Sequence, residues 1–95
     1  MRVMARITIP VGPGNKAISD GSIGKIMQGA AERWHPEAMY FTTFDAKRTA
    51  YMVLEMADST DIPSFAEPLF SGLNADVELT PVMTTEELMQ GLSKL

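Results

Sequence analysis

The stretch Ala38-Met39-Tyr40-Phe41-Thr42-Thr43-Phe44-Asp45-Ala46-Lys47-Arg48-Thr49-Ala50-Tyr51-Met52-Val53-Leu54-Glu55 decides the fold. It reads as two strands, at about 38–44 and 49–56, rich in aromatic and β-branched residues around a polar turn at Asp45-Ala46-Lys47-Arg48. Pairing Phe44 with Thr49 and stepping outward through Thr42/Tyr51, Phe41/Met52, Tyr40/Val53, Met39/Leu54 and Ala38/Glu55 sorts the side chains onto two faces. One face carries Met39, Phe41, Met52 and Leu54; the other carries Tyr40, Thr42, Phe44, Tyr51, Val53 and Glu55. A sheet with one solvated face alternates apolar with polar. Here the second face is aromatic as well, which predicts that something covers it.

Upstream, Val3, Ala5, Ile7 and Ile9 alternate with Arg2, Met4, Arg6 and Thr8, the period of a strand. Pro10-Val11-Gly12-Pro13-Gly14 reads as the turn that ends it, followed by a short helical piece near 15–20. Ile23, Ile26, Met27, Ala30 and Trp34 predict a helix over about 22–34, stopped by Pro36. Downstream, Asp58 to Pro63 opens a second helix, in which Pro68 is expected to force a kink or a restart. Val77 and Leu79 oppose Asp76, Glu78 and Thr80 in a last strand. Thr84-Thr85-Glu86-Glu87 is a capping box flanked by Met83 and Leu88, and it begins a short helix with Leu88, Met89, Leu92 and Leu95.

The resulting order is βαββαβ plus a C-terminal helix, an α+β, ferredoxin-like arrangement. It predicts a four-stranded antiparallel sheet of order 4-1-3-2 with its helices on one face. Val3, Ala5, Ile7, Ile9, Met39, Phe41, Met52, Leu54, Val77 and Leu79 form the expected helix-facing layer. The open face is left with Arg6, Tyr40, Thr42, Tyr51, Glu55 and Glu78. Arg6, on the central strand, is expected to fork between Glu55 and Glu78, since charges under cover must be paired. An uncovered stripe of Met4, Tyr40, Phe44, Tyr51 and Val53 predicts a homodimer through this face.

Composition narrows the function classes. Ninety-five residues make one domain, 1–95. The net charge of −4, with eight scattered Lys and Arg, excludes a nucleic-acid surface, which needs a basic stripe. No apolar run approaches a membrane span. With no Cys there is no disulfide and no thiolate metal site, and a lone His supplies no ligand cluster, so neither metal nor cofactor is expected. The strand beginning almost at Met1 leaves no room for a signal peptide, which makes the cytoplasm the expected location. Gly12-Pro13-Gly14-Asn15-Lys16 follows a strand and precedes a helix, a context that suits phosphate, but it lacks the Gly-Lys-Ser/Thr of a phosphate loop. His35 reads as a helix-end cap, and Trp34 as core.

In this topology the chain resembles the dimeric α+β barrel superfamily, in which two ferredoxin-like sheets meet by their open faces and enclose a cavity. Three segments, 16–21 (KAISDG), 36–43 (PEAMYFTT) and 67–75 (EPLFSGLNA), together with 79–83 (LTPVM), are similar to a family of short uncharacterised bacterial proteins. The superfamily includes cofactor-free monooxygenases and small isomerases, so the resemblance implies a cavity and no particular chemistry. Two functional readings follow. In one, Arg6, Tyr40, Thr42, Tyr51, Glu55 and Glu78 hold an anionic or phenolic small molecule, or act on it, between paired sheets. In the other, they form an ion-pair network in the filled interface of a structural or regulatory homodimer.

Overall fold

A computed structural model describes all of residues 1–95. Strand β1 (Arg2–Ile9) is followed by helices α1 (Val11–Ser19) and α2 (Ser22–Trp34), the hairpin β2 (Ala38–Phe44) and β3 (Lys47–Glu55), helix α3 (Asp61–Leu73), strand β4 (Asp76–Pro81) and helix α4 (Thr85–Leu92). The strands form one sheet in the order β2-β3-β1-β4, with every neighbouring pair antiparallel. This is the expected α+β, ferredoxin-like order. The alternation in β1 and β3 turns Val3, Ala5, Ile7, Ile9, Ala50, Met52 and Leu54 towards the helices, which cover them with Ala17, Met27, Phe65, Leu69 and Leu73. Trp34 joins this core edge-on to Phe65, with ring centroids 5.7 Å apart.

The hairpin register differs from the expected one by two residues. Phe44 pairs with Lys47, Thr42 with Thr49 and Tyr40 with Tyr51. The loop is only Asp45-Ala46, and both residues have positive φ, 54° and 58°. A two-residue loop with left-handed central residues matches the twist of the strands it joins. Lys47 steadies it, donating from Nζ to the Asp45 carbonyl and to Oδ2, both at 3.2 Å. A shift of two keeps every side chain on its face, so the face assignment stands while the cross-strand partners change.

The prolines at the start of α1 and within α3 leave both helices continuous. Residues 10–14 are not a turn. Pro10 occupies the N-cap of α1, and Gly12, Pro13 and Gly14 lie inside the helix. Pro13 falls in the first turn, where amide hydrogens have no intrahelical partner to lose. Gly14 lets the helix lie close to β3: a Cβ there would come within 2.7 Å of Arg48 Nη1. Nor does Pro68 restart α3, which runs unbroken from Asp61 to Leu73. Pro68 is on the exposed side of that helix, where water can serve the carbonyl it leaves without a donor.

The helical layer is narrower than the sheet. No residue of β2 is buried. Phe41 lies on the helix-facing side as expected, yet it is 61% exposed because the edge strand overhangs the helices. The C-terminal helix stands clear of the core, held to the body through Glu87 and Arg2. Its capping box forms, with Thr84 N donating to Glu87 Oε1 (2.9 Å) and Glu87 N donating to Thr84 Oγ1 (3.2 Å). No residue of α4 is buried. The radius of gyration is 14.8 Å, against about 12.4 Å for a compact chain of this length.

Candidate functional site

The register places four of the expected site residues in one row across the open face. Arg6 on β1 lies opposite Glu78 on β4 and Tyr51 on β3, and Tyr51 lies opposite Tyr40 on β2. Each strand contributes one side chain, because residues in register on a common face stand side by side. The next row holds Thr8, Thr49 and Thr42. Beyond it, Phe44 reaches back across the threonines, and the Arg6 guanidinium carbon lies 4.0 Å from the centre of its ring. Thr49 beneath this bridge is only 2% exposed, although it belongs to the open face.

Arg6 donates from Nη2 to Glu78 Oε2. Partial burial opposes its charge, but hydrogen bonding to Glu78 and to the Tyr51 hydroxyl outweighs that effect and raises the Arg6 pKa above its ordinary value. The guanidinium is therefore a permanent cation, held between an aromatic face and a carboxylate. A shallow basin of about 160 Å³ opens beside it, lined by Met4, Arg6, Tyr51, Glu78 and Thr80.

The expected fork between Glu55 and Glu78 does not form at Arg6. Glu55 stands opposite Arg2, four residues away along the strand, and its carboxylate accepts from the Met1 amine. A two-carboxylate fork exists at Arg2 instead. Nε donates to Glu37 Oε1 and Nη1 donates to Glu87 Oε1, both at 2.5 Å. This pairing, with that to Glu37 the stronger, raises the Arg2 pKa and ties α4 to the start of β1. Thr42 is exposed, one row away from Arg6. Phe44, Met4 and Thr80 complete the site without having been singled out for it. Phe44 becomes a partner of Arg6 by reaching back along the face from two rows away, a contact that spacing alone does not show.

The other candidates have structural roles. His35 is the C-cap of α2, with φ 45° and its amide donating to the Ala31 carbonyl at 3.0 Å. No group of three His, Asp or Glu side chains is placed to hold a metal ion. The largest concavity, about 680 Å³, lies between α1, the start of α2 and the end of α3. Lys16, Asp20, Ser22, Ser71 and Asn74 line it, so segments 16–21 and 67–75 meet there. It is an open polar groove in which Lys16 and Asp20 offset one another, and Asp20 is engaged in accepting from Ser22 N at 2.9 Å.

Residues 27–95 match a family described as a domain of unknown function, DUF3303. The chain belongs to this family. The matched span takes in the hairpin, α3, β4 and α4, and it leaves out β1 with Arg6. No curated protein matches the chain. No helix is long and apolar enough to cross a membrane.

Proposed function

We propose that this DUF3303 chain works as a homodimer of open sheet faces, and that the basin around Arg6 holds a small molecule between them. One observation carries the reading: a permanent cation, stacked on Phe44, sits in the middle of an uncovered aromatic face that is itself electrically balanced. Arg2, Arg6 and Lys47 on that face are matched by Glu55, Asp76 and Glu78, although the whole chain carries −4. Two such chains meet with least repulsion through their neutral faces. A face exposing Tyr40, Met4 and Phe44 to water is also an association surface in its own right.

The basin is neutral rather than cationic, because Glu78 already occupies the guanidinium. It suits a planar polar molecule that both donates and accepts hydrogen bonds, such as a phenol or an amide, better than a free anion. The cytoplasm, the expected location in bacteria, would supply such molecules. The second reading, a structural or regulatory dimer with a filled interface, draws on the volume of the basin. At about 160 Å³ it is below the ~300 Å³ at which ligand pockets usually begin.

The test is a fragment screen by NMR on the wild-type chain, repeated on folded Arg6→Lys and His35→Ala variants, with light scattering for size. Binding that survives His35→Ala and weakens in Arg6→Lys supports the site, since Lys keeps the charge and loses the planar stack and fork. Binding lost only in His35→Ala overturns it. A dimer that binds no fragment gives the structural reading.

A further inference from the structure

The basin at Arg6 is half a site. Its walls come from β1, β3 and β4 alone, and it opens away from the sheet. Glu78 accepts from Arg6, yet its side chain is 59% exposed and no other side chain donates to it. A carboxylate has room for about four hydrogen bonds. Tyr40, in the same row, is 70% exposed. It lies on β2, three strand spacings from Glu78 on β4. At about 4.8 Å per spacing, its hydroxyl does not reach Glu78 on its own chain. A free phenol and an under-used carboxylate therefore stand at the two ends of one row.

Two copies that pair their open faces are related by a two-fold axis lying between the sheets. An axis perpendicular to the strands through this row sets Arg6 on Arg6 and Glu78 on Glu78, like charge on like. An axis along the strands, midway between β1 and β3, reverses the order β2-β3-β1-β4 end for end. It lays β1 over the partner's β3 and β4 over the partner's β2, and it keeps every row over itself. The registers then give the contacts. Arg2 faces the partner's Glu55, Met4 faces the partner's Val53, Arg6 faces the partner's Tyr51 and Glu78 faces the partner's Tyr40. Cation meets carboxylate, apolar meets apolar, and carboxylate meets phenol. Complementarity of this kind fixes the register of an interface. The strands of the two sheets run within about 30° of each other, one of the two preferred packings. The Arg6 row is at the middle of the strands, where that angle displaces facing residues least. Thr80 faces the partner's Ala38, a small side chain that leaves space above that side of the basin.

We infer that the partner's Tyr40 closes the basin, its hydroxyl donating to the Glu78 carboxylate, so that each of two identical sites is shared between subunits. The inference rests on the paired-face reading above and adds to it the direction of the axis and the residue that completes the site. The chain has no cysteine, so introduced thiols are unique. Tyr40→Cys chains and Glu78→Cys chains are treated with a short bismaleimide, separately and after mixing, because paired sheets lie about 10 Å apart, beyond a disulfide's reach. Both positions are exposed, so neither change disturbs the core. The mixture should cross-link at least about tenfold faster than either chain alone, because the axis holds the two positions together. Light scattering over a dilution series compares the wild type with Tyr40→Phe, whose loss of two hydrogen bonds to carboxylates should raise the dimer dissociation constant at least about tenfold. A wild-type dimer in which Tyr40→Cys chains link to each other as fast as to Glu78→Cys chains overturns the axis and the shared site, and leaves the paired faces standing. A Tyr40→Phe dimer as tight as the wild type overturns the role of the hydroxyl. A wild-type monomer at micromolar concentration overturns the paired faces as well.

Discussion

Met52 and Tyr51 are neighbours on β3, yet Met52 is fully buried and Tyr51 is half-covered. The same contrast holds across the sheet, between Ala5 and Met4 or between Leu54 and Val53. The two faces differ less in apolar content than in what each meets. The helix-facing side is closed by α1, α2 and α3 over β1 and β3, and stays open only at the β2 edge, where Phe41 is exposed. The open side is closed at one point only, where Arg6 and Phe44 bridge over Thr49. The helix-facing side makes the fold, and the open side is available to bind. In a chain of this size, which buries only roughly 60–65% of its unfolded surface, leaving one sheet face bare is a large cost to stability unless association recovers it.

The largest expected effect sets the two faces against each other. Met52→Ala should cost about 2–5 kcal/mol in denaturant unfolding, through lost burial and the cavity left behind. Tyr51→Ala should cost little in the dilute chain, and it should flatten the rise of melting temperature with concentration that a dimer shows. Equal losses in dilute solution would break the distinction between the faces.

A smaller effect sharpens the register that lines up Glu78, Arg6, Tyr51 and Tyr40. Ala46 is held at a φ of 58°, a left-handed conformation that costs a residue with a Cβ about 1–2 kcal/mol. Ala46→Gly should therefore stabilise the protein by up to about 1 kcal/mol, after allowing for the greater freedom of glycine in the unfolded chain. Destabilisation by that change would mean that the loop is not the two-residue turn and that the row is misaligned.

The smallest effect concerns α4. Hydrogen bonds from the Thr84 backbone and side chain, assisted by Arg2, hold the Glu87 carboxyl below its ordinary value of 4.5. A depressed folded-state pKa means stability that is present above the ordinary value and lost as the pH falls from there through the lowered one. Amide exchange in α4 should accelerate below about pH 4.5 relative to the trend in α3, and the core should not respond. Thr84→Ala should loosen the same helix by about 1 kcal/mol at neutral pH. If either change lowers the global melting temperature of the dilute chain, α4 belongs to the body of the fold and is not a separate arm.

Most of this architecture is legible in the residues. The two-residue period of Val3, Ala5, Ile7 and Ile9, the helical period of Ile23 to Trp34 and the Thr84–Glu87 box are local signals, and local geometry obeys them. Parity is equally local, so the assignment of Arg6, Tyr40, Tyr51 and Glu78 to one face survived an error of two in register. What failed depended on distance along the chain or on solvent. The partner of Arg6 was settled by the pairing of β1 with β3 and β4, which left Glu55 beside Arg2 and Glu78 beside Arg6, while the loop two residues shorter than the polar run suggested set Tyr40 opposite Tyr51. The proline inside α3 was tolerated because it points outward, a fact no one-dimensional pattern contains. Sequence alone therefore determined the elements, their order and the sides of the sheet, since these follow from backbone sterics and the period of apolar residues. Only the tertiary structure decided which charges pair, how far the helices reach across the sheet and that α4 stands clear of it, because those depend on distances between residues far apart in the chain.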